Sequence, residues 1–240
     1  MRPTVLLFDV DGTLITTNGG ARAAIERAFA ERYGRTNGFD FPFDGMTDRA
    51  IVRRALERIE VEATEAEIDD FIAAYLSHLG EELDRAAACR LHRGVERAVD
   101  EALARENFAV GLGTGNVREG ARLKLERVEF FHPFAFGGFG CDHEDRAELI
   151  RVGAERGAKR LGHPLSDCRV VVIGDTPKDV AAAHAIGAES IGVGTGSFSP
   201  EALLDAGATW AFPDLGGEDA LAVLLGRGQF VGKREVGGLR

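Results

Sequence analysis

Residues 8–14 read Phe8-Asp9-Val10-Asp11-Gly12-Thr13-Leu14, and they continue the apolar run Val5-Leu6-Leu7-Phe8. A short, unbroken apolar segment fits a central parallel strand covered on both faces. Asp9 and Asp11 then leave its carboxyl end, the edge of an open parallel sheet where ligands collect. Gly12 lets the backbone turn sharply away. Two carboxylates so close in sequence repel each other, which raises one pKa or recruits a cation. A hard divalent ion such as Mg2+ resolves the conflict through oxygen ligands. The segment points to phosphate chemistry on a metal, against the plainer reading of a surface Asp-Gly turn.

The rest of the chain supplies a frame for that strand. From about Thr16 to Arg90 the sequence is rich in helix formers and carries no convincing strand. Helical periodicity spans Ala21 to Tyr33, Asp48 to Ile59 and Thr64 to Leu83, with Thr64 placed to cap the third helix. The link from Gly34 to Gly45 holds Phe39, Phe41 and Phe43. These helices predict a small bundle inserted after the first strand.

From His92 onward helices and strands alternate. Helices are predicted over 94–105, 117–128, 145–161, 177–186 and 218–225, and strands over 108–113, 134–137, 169–173, 190–193 and 209–212. This alternation predicts an α/β fold, a doubly wound parallel (Rossmann-like) sheet with an inserted α-helical cap domain. The expected division is 1–15 and 91–226 for the core, 16–90 for the cap and 227–240 for a loose tail.

Two further strand ends carry chemistry. Phe108 to Gly113 runs into Thr114-Gly115-Asn116 before a helix, a hydroxyl, a glycine amide and a helix amino terminus that together suit an anion. An ordinary cap with Asn116 as N-cap explains the same residues. Arg169 to Ile173 runs into Gly174-Asp175-Thr176-Pro177-Lys178-Asp179, where Pro177 fits a first helical turn. Asp175 and Asp179 near that turn can point at one cation, directly or through water; taken singly, capping accounts for them too. Three strands ending in Asp, Thr and Asp along one sheet edge weaken these capping readings together.

Bulk properties narrow the partners. At 240 residues the chain suits one large domain or a core with an inserted module. Its net charge of -10 offers no general attraction to nucleic acid or anionic lipid. Small molecules are the expected partners. Cys89, Cys141 and Cys168 form neither a disulfide framework nor a zinc spacing, and no apolar run approaches membrane-spanning length. The expected location is cytoplasmic, and the state a monomer or homodimer. Cys141 with His143 lacks nearby partners for a metal, and His92, His132, His163 and His184 read as surface or satisfied core histidines.

The ordered set Asp9-x-Asp11-Gly12-Thr13, Thr114-Gly115-Asn116 and Gly174-Asp175-x3-Asp179 resembles the haloacid dehalogenase-like hydrolase superfamily over residues 4–212, nearest its phosphoglycolate-phosphatase-like members with a helical cap after the first motif. The resemblance implies a magnesium-dependent phosphatase of small phosphomonoesters. Asp9 would be the nucleophile that forms an aspartyl-phosphate, and Asp11 the general acid and then base. The Mg2+ would be held by Asp9, the Asp11 carbonyl and Asp175, with Asp179 helping. Thr114, Gly115 and Asn116 would bind phosphoryl oxygens.

The family's third motif is usually a lysine before the Gly-Asp strand. Here Arg146 stands at that place, with Lys124, in the helix after Thr114, as the alternative cation. Substrate choice falls to the cap, which closes over the site. Candidate contacts are Asn18-Gly19-Gly20 beside the first motif and Gly45-Met46-Thr47-Asp48-Arg49 facing it from the cap, where Arg49 would take a carboxylate or second phosphate. Dehalogenation does not need Asp11 with Asp175 and Asp179, and phosphonate hydrolysis needs a cap lysine that residues 16–92 lack. A phosphohexomutase of the beta-phosphoglucomutase type keeps all the core groups and is the enzymatic alternative. A non-catalytic phosphate-ligand-binding protein is the other, although it would be expected to lose Asp9 or Asp11.

Overall fold

The computed structural model describes residues 2–86 and 89–227. Its centre is the strand anticipated from the apolar run, β1 (Thr4–Phe8), buried along its whole length. Parallel neighbours flank it: β4 (Phe108–Thr114) on one side, and β6 (Arg169–Gly174) on the other. The sheet is completed by β5 (Gly137–Phe139), β7 (Glu189–Val193) and β8 (Trp210–Phe212) in the order β5-β4-β1-β6-β7-β8, all pairings parallel. The order reverses beside β1, so the loops after β1, β4 and β6 open onto one crevice, the switch point of a doubly wound sheet.

Helices α4 (Val95–Leu103), α5 (Arg118–Glu126), α6 (Arg146–Leu161), α7 (Pro177–Ala185), α8 (Pro200–Asp205) and α9 (Glu218–Leu224) connect and follow these strands. Apolar clusters lie on both sheet faces, one around Leu6, Phe8 and Leu112, the other around Val5, Leu7 and Ile150. That double cover is why β1 reads as continuously apolar.

Helices α1 (Gly20–Tyr33), α2 (Asp48–Arg58) and α3 (Glu65–Ala86) pack around an interior of their own, rich in aromatic rings. Phe29 meets Phe39 and Phe71 edge-on at 5.0 and 6.0 Å. The chain enters and leaves this helical unit through an antiparallel ribbon, β2 (Ile15–Thr16) against β3 (Arg90–Leu91).

Three elements differ from expectation. The ribbon was not anticipated because two-residue strands have no period to read. The strand expected over 134–137 lies three residues later: Phe134 turns into the core against Phe8 and Phe130, while Gly138 packs where a Cβ would sit 1.8 Å from the Leu149 carbonyl. Helix α8 was missed, although Ser199 caps it and Pro200 opens it. The tail expected from 227 on lies, apart from Arg227, outside the described residues. No described helix is long and apolar enough to cross a membrane. All three cysteines are free thiols.

Candidate active site

The sheet edge gathers the three strand ends around Asp9. Gly12 adopts φ +79° and carries the chain away from the strand, and a Cβ there would strike the Asp175 carboxylate at 2.3 Å. Thr13 donates its hydroxyl to Asp175 Oδ1 at 3.1 Å. The loop after β7 closes the same corner, with the Thr195 hydroxyl donating to the Gly12 carbonyl at 2.5 Å.

Asp9, Asp175 and Asp179 are all buried, and one carboxylate oxygen from each lies within 4.8 Å of the others, the only such cluster among the described residues. Burial pushes Asp9 up to about 6, with Arg146 pulling it down and Asp179 adding to the rise. Burial and the Asp179 and Asp9 charges push Asp175 up to about 8. Hard oxygen donors that resist ionising side by side are the donor set a divalent cation relieves, so these residues fit Mg2+.

Asp145 caps α6, accepting from the Ala147 and Glu148 amides, so Arg146 is the first helical residue and reaches back to the sheet edge. Its Nη2 lies 3.0 Å from Asp9 Oδ2 and 2.5 Å from Asp179 Oδ1. Asp179 is otherwise committed to α7: its Oδ2 accepts from the Thr176 amide and hydroxyl in a capping box. The capping and functional readings of Asp179 are therefore both satisfied by one side chain, an oxygen for each.

The second cation takes a different carboxylate. Lys124, one helical face into α5, is 4% exposed, and its Nζ donates to Asp11 Oδ2 at 2.6 Å and to Asn116 Oδ1. Burial opposes its charge, but Asp11, Tyr75 and Asp48 outweigh that and hold its pKa above the ordinary range. Arg146 and Lys124 are thus not competitors: each is paired with one acid of Asp9-x-Asp11.

Asn116 is not the N-cap of α5. That place belongs to Val117, whose amide donates to Asp48 Oδ2 at 2.8 Å, while Asn116 Nδ2 donates to Asp11 at 2.7 Å and to the Thr114 hydroxyl at 2.9 Å. Thr114 is fully buried, and its hydroxyl beside Asp9 favours the charged form of that carboxyl. Gly115 is required by a close approach: its carbonyl accepts from the Asp48 amide at 2.8 Å, and a Cβ there would lie 2.4 Å from the Met46 carbonyl.

A cavity of about 290 Å³ opens between this edge and the helical unit. Asp9, Asp11, Asp175, Asn116, Lys124 and Arg146 form its floor, and Ala21, Ile25, Phe43, Met46, Ile51 and Tyr75 form an apolar wall. Five of the expected contacts do not line it, Asn18 and Thr47 among them. Arg49 is turned toward α3, where it pairs with Asp69 at 2.5 Å and with Glu65. Gly19, at φ +88°, starts α1, and Gly20 is buried against the Glu82 carbonyl and Leu83, so both serve the helix start and its packing.

Of the expected cap segment, Gly45, Met46 and Asp48 do line the cavity, and Arg22 is a charged lining residue that the sequence reading passed over. What separates Asp48 from Arg49 is helical phase. Asp48 shares a face with Ile51, Val52 and Ala55, which are buried, whereas Arg49 shares a different face with Arg53. Cys141 and His143 form no metal cluster among the described residues, and His143 Nδ1 accepts from the Asp145 amide.

The family model for haloacid dehalogenase-like hydrolases matches residues 3–187. No curated protein matches the sequence at a significant level. Among solved structures, the chain is similar to a hydrolase from Pseudomonas syringae at 22% identity and TM-score 0.66, covering 89% of this chain and 94% of that one. It is similar to a predicted phosphoglycolate phosphatase from Haemophilus somnus 129pt at 20% identity and TM-score 0.63, covering 92% and 97%. A beta-phosphoglucomutase from Clostridium difficile gives 17% identity and TM-score 0.66, covering 90% and 92%. At such identities the likeness is one of fold.

Proposed function

This chain belongs to the haloacid dehalogenase-like hydrolases, and on that premise we propose that it is a magnesium-dependent phosphatase that hydrolyses a small phosphomonoester through an aspartyl-phosphate on Asp9. The observation that carries the reading is the clustering of Asp9, Asp175 and Asp179 within 4.8 Å, with Arg146 3.0 Å from Asp9. A carboxylate attacks phosphorus only if the repulsion between two anions is cancelled, and this corner concentrates the means to do so.

Asp9 and Asp175, with the Asp11 carbonyl, would hold Mg2+, which supplies charge neutralisation on the transferring phosphoryl group. Asp179, whose oxygens are already shared between Arg146 and Thr176, steadies this set. Arg146 orients Asp9 and draws phosphoryl oxygens beside it through its planar fork. Thr114 and the Gly115 amide, ahead of the amino end of α5, take the remaining oxygens. Asp11, with 40% of its side chain exposed toward the cavity, protonates the leaving alcohol and then takes a proton from the water that hydrolyses the acyl-phosphate. Lys124 and Asn116 fix the direction of its carboxylate. Helices α1–α3 act as the cap that excludes bulk water during the first step. Three free thiols agree with a reducing, cytoplasmic setting.

The beta-phosphoglucomutase likeness keeps a mutase as the second reading, since such an enzyme uses the same core groups. It needs a sugar bisphosphate primer, and Arg49, the residue proposed for a second anion, is turned away from the cavity.

The test is phosphate release from a panel of small phosphomonoesters with Mg2+. Wild type is expected to be active and to stop with chelator, and Asp9→Asn to lose roughly 10⁴-fold or more in kcat. Release that survives Asp9→Asn, or none from any ester, overturns the reading.

A further inference from the structure

The alcohol end of the cavity is negative. Each cation on the wall is already matched: Arg146 by Asp9 and Asp179, Lys124 by Asp11. Arg22 donates to Glu26 at 2.7 Å and to the Phe39 carbonyl at 2.6 Å, and its guanidinium lies 4.4 Å over the Phe43 ring. Asp48 and Asp44 also line the cavity, and neither makes an ion pair with a described residue. Asp48 is 8% exposed, lines the cavity and accepts from the Val117 amide through Oδ2.

From this imbalance, and resting on the phosphatase reading above, we propose that the substrate is the phosphomonoester of a compact, uncharged, hydroxyl-bearing alcohol, and that Asp48 is the residue that selects it. The apolar wall of Ile25, Phe43, Met46 and Ile51 covers the carbon skeleton, and the Asp48 carboxylate accepts a hydrogen bond from a free hydroxyl. A leaving group that carries a carboxylate or a second phosphate meets Asp48 and Asp44, while Lys124, whose charge acts on Asp48, is already bonded to Asp11, and Lys178, which acts on Asp44, does not line the cavity. Rejection then comes from an unpaired like charge in a partly buried site, the strongest kind of discrimination a small pocket offers. Asp48 is fixed for this task, because its own amide donates to the Gly115 carbonyl and its carboxylate accepts from the Val117 amide.

The experiment compares two esters of nearly equal size, 2-hydroxyethyl phosphate and 2-phosphoglycolate, with saturating Mg2+ at pH 8, where Asp48 is ionised. The kcat/KM ratio favours the hydroxyl ester by about tenfold or more in wild type, the effect of one poorly screened like charge. In Asp48→Asn, which can still accept from Val117, that ratio falls several-fold. A ratio is unaffected by how much of the variant is folded, so partial loss of protein does not blur it. The same two esters titrated into Asp9→Asn protein by calorimetry give the preference without turnover, so the failure of hydrolysis and the failure of the selectivity are separate results. Equal or preferred use of 2-phosphoglycolate by wild type overturns the proposal, as does an unchanged ratio in Asp48→Asn.

Discussion

The sheet edge and the helical unit hold their charges in opposite ways. Around Asp9 most ionisable groups are buried, and Arg146 is pinned between the carboxylates of Asp9 and Asp179. In α1–α3 the ion pairs lie outside, Arg27 with Glu31 and Arg32 with Glu67, around an interior of phenylalanines. The edge gives up stability for chemistry, since its acids are pushed up to about 6 and about 8 by burial and mutual repulsion. The helical unit draws its stability from apolar area, which is large and indifferent to pH. Asp48 joins the two: a buried carboxylate carried on a helix of the cap type that bonds back to the sheet edge at Val117.

That contrast can be broken at three points. The largest effect is expected inside the helical unit: Phe71→Ala removes a fully buried ring that contacts Phe29, Tyr33 and Phe39, and should cost about 3–5 kcal/mol in denaturant unfolding. A loss below about 1 kcal/mol would mean that the aromatic cluster does not hold these helices.

Asp48 comes next. Burial raises its pKa to about 6 from 3.8, so the folded state holds this proton more tightly than the unfolded chain. Its contribution to stability is present below about pH 4 and is lost as pH rises through about 6. Relative to wild type, metal-free Asp48→Asn should therefore gain up to about 3 kcal/mol between pH 4 and pH 8, at 1.36 kcal/mol per pKa unit. A difference that stays level across those pH values would show that Asp48 is not desolvated. The smallest effect belongs to the surface: Arg27→Gln should change stability by under about 1 kcal/mol, because exposed pairs are screened and entropically costly. A loss of several kcal/mol would make the outer network structural and erase the contrast.

The legibility of the molecule follows the same line. The acids of β1, Thr114 and Asp175 were readable because a strand end is a local event: an apolar run stops, a polar residue follows, and parallel pairing brings all such ends to one edge. Arg146 was readable from its place before β6. What was misassigned lay where faces, not positions, matter. Arg49 and Asp48, both named from the sequence as cap contacts, lie on different faces of α2, and only helical phase tells which of them faces the cavity. Gly19 and Gly20 looked like ligand-binding residues and turned out to serve a helix start and a tight helix contact.

By itself, then, the sequence determined the fold class, the order of the chemical groups and the identity of the acids that meet at the sheet edge, because these depend on patterns within one strand–turn–helix step. Only the tertiary structure decided which cation serves which acid, since Lys124 reaches Asp11 from a distant helix while Arg146 reaches Asp9. It also decided the wall of the cavity, because the Asp48 amide meets the Gly115 carbonyl across more than sixty residues of chain. The physical reason is range: propensity and periodicity act over a few residues, whereas the partner of a buried charge is whichever group the packing brings within hydrogen-bond distance.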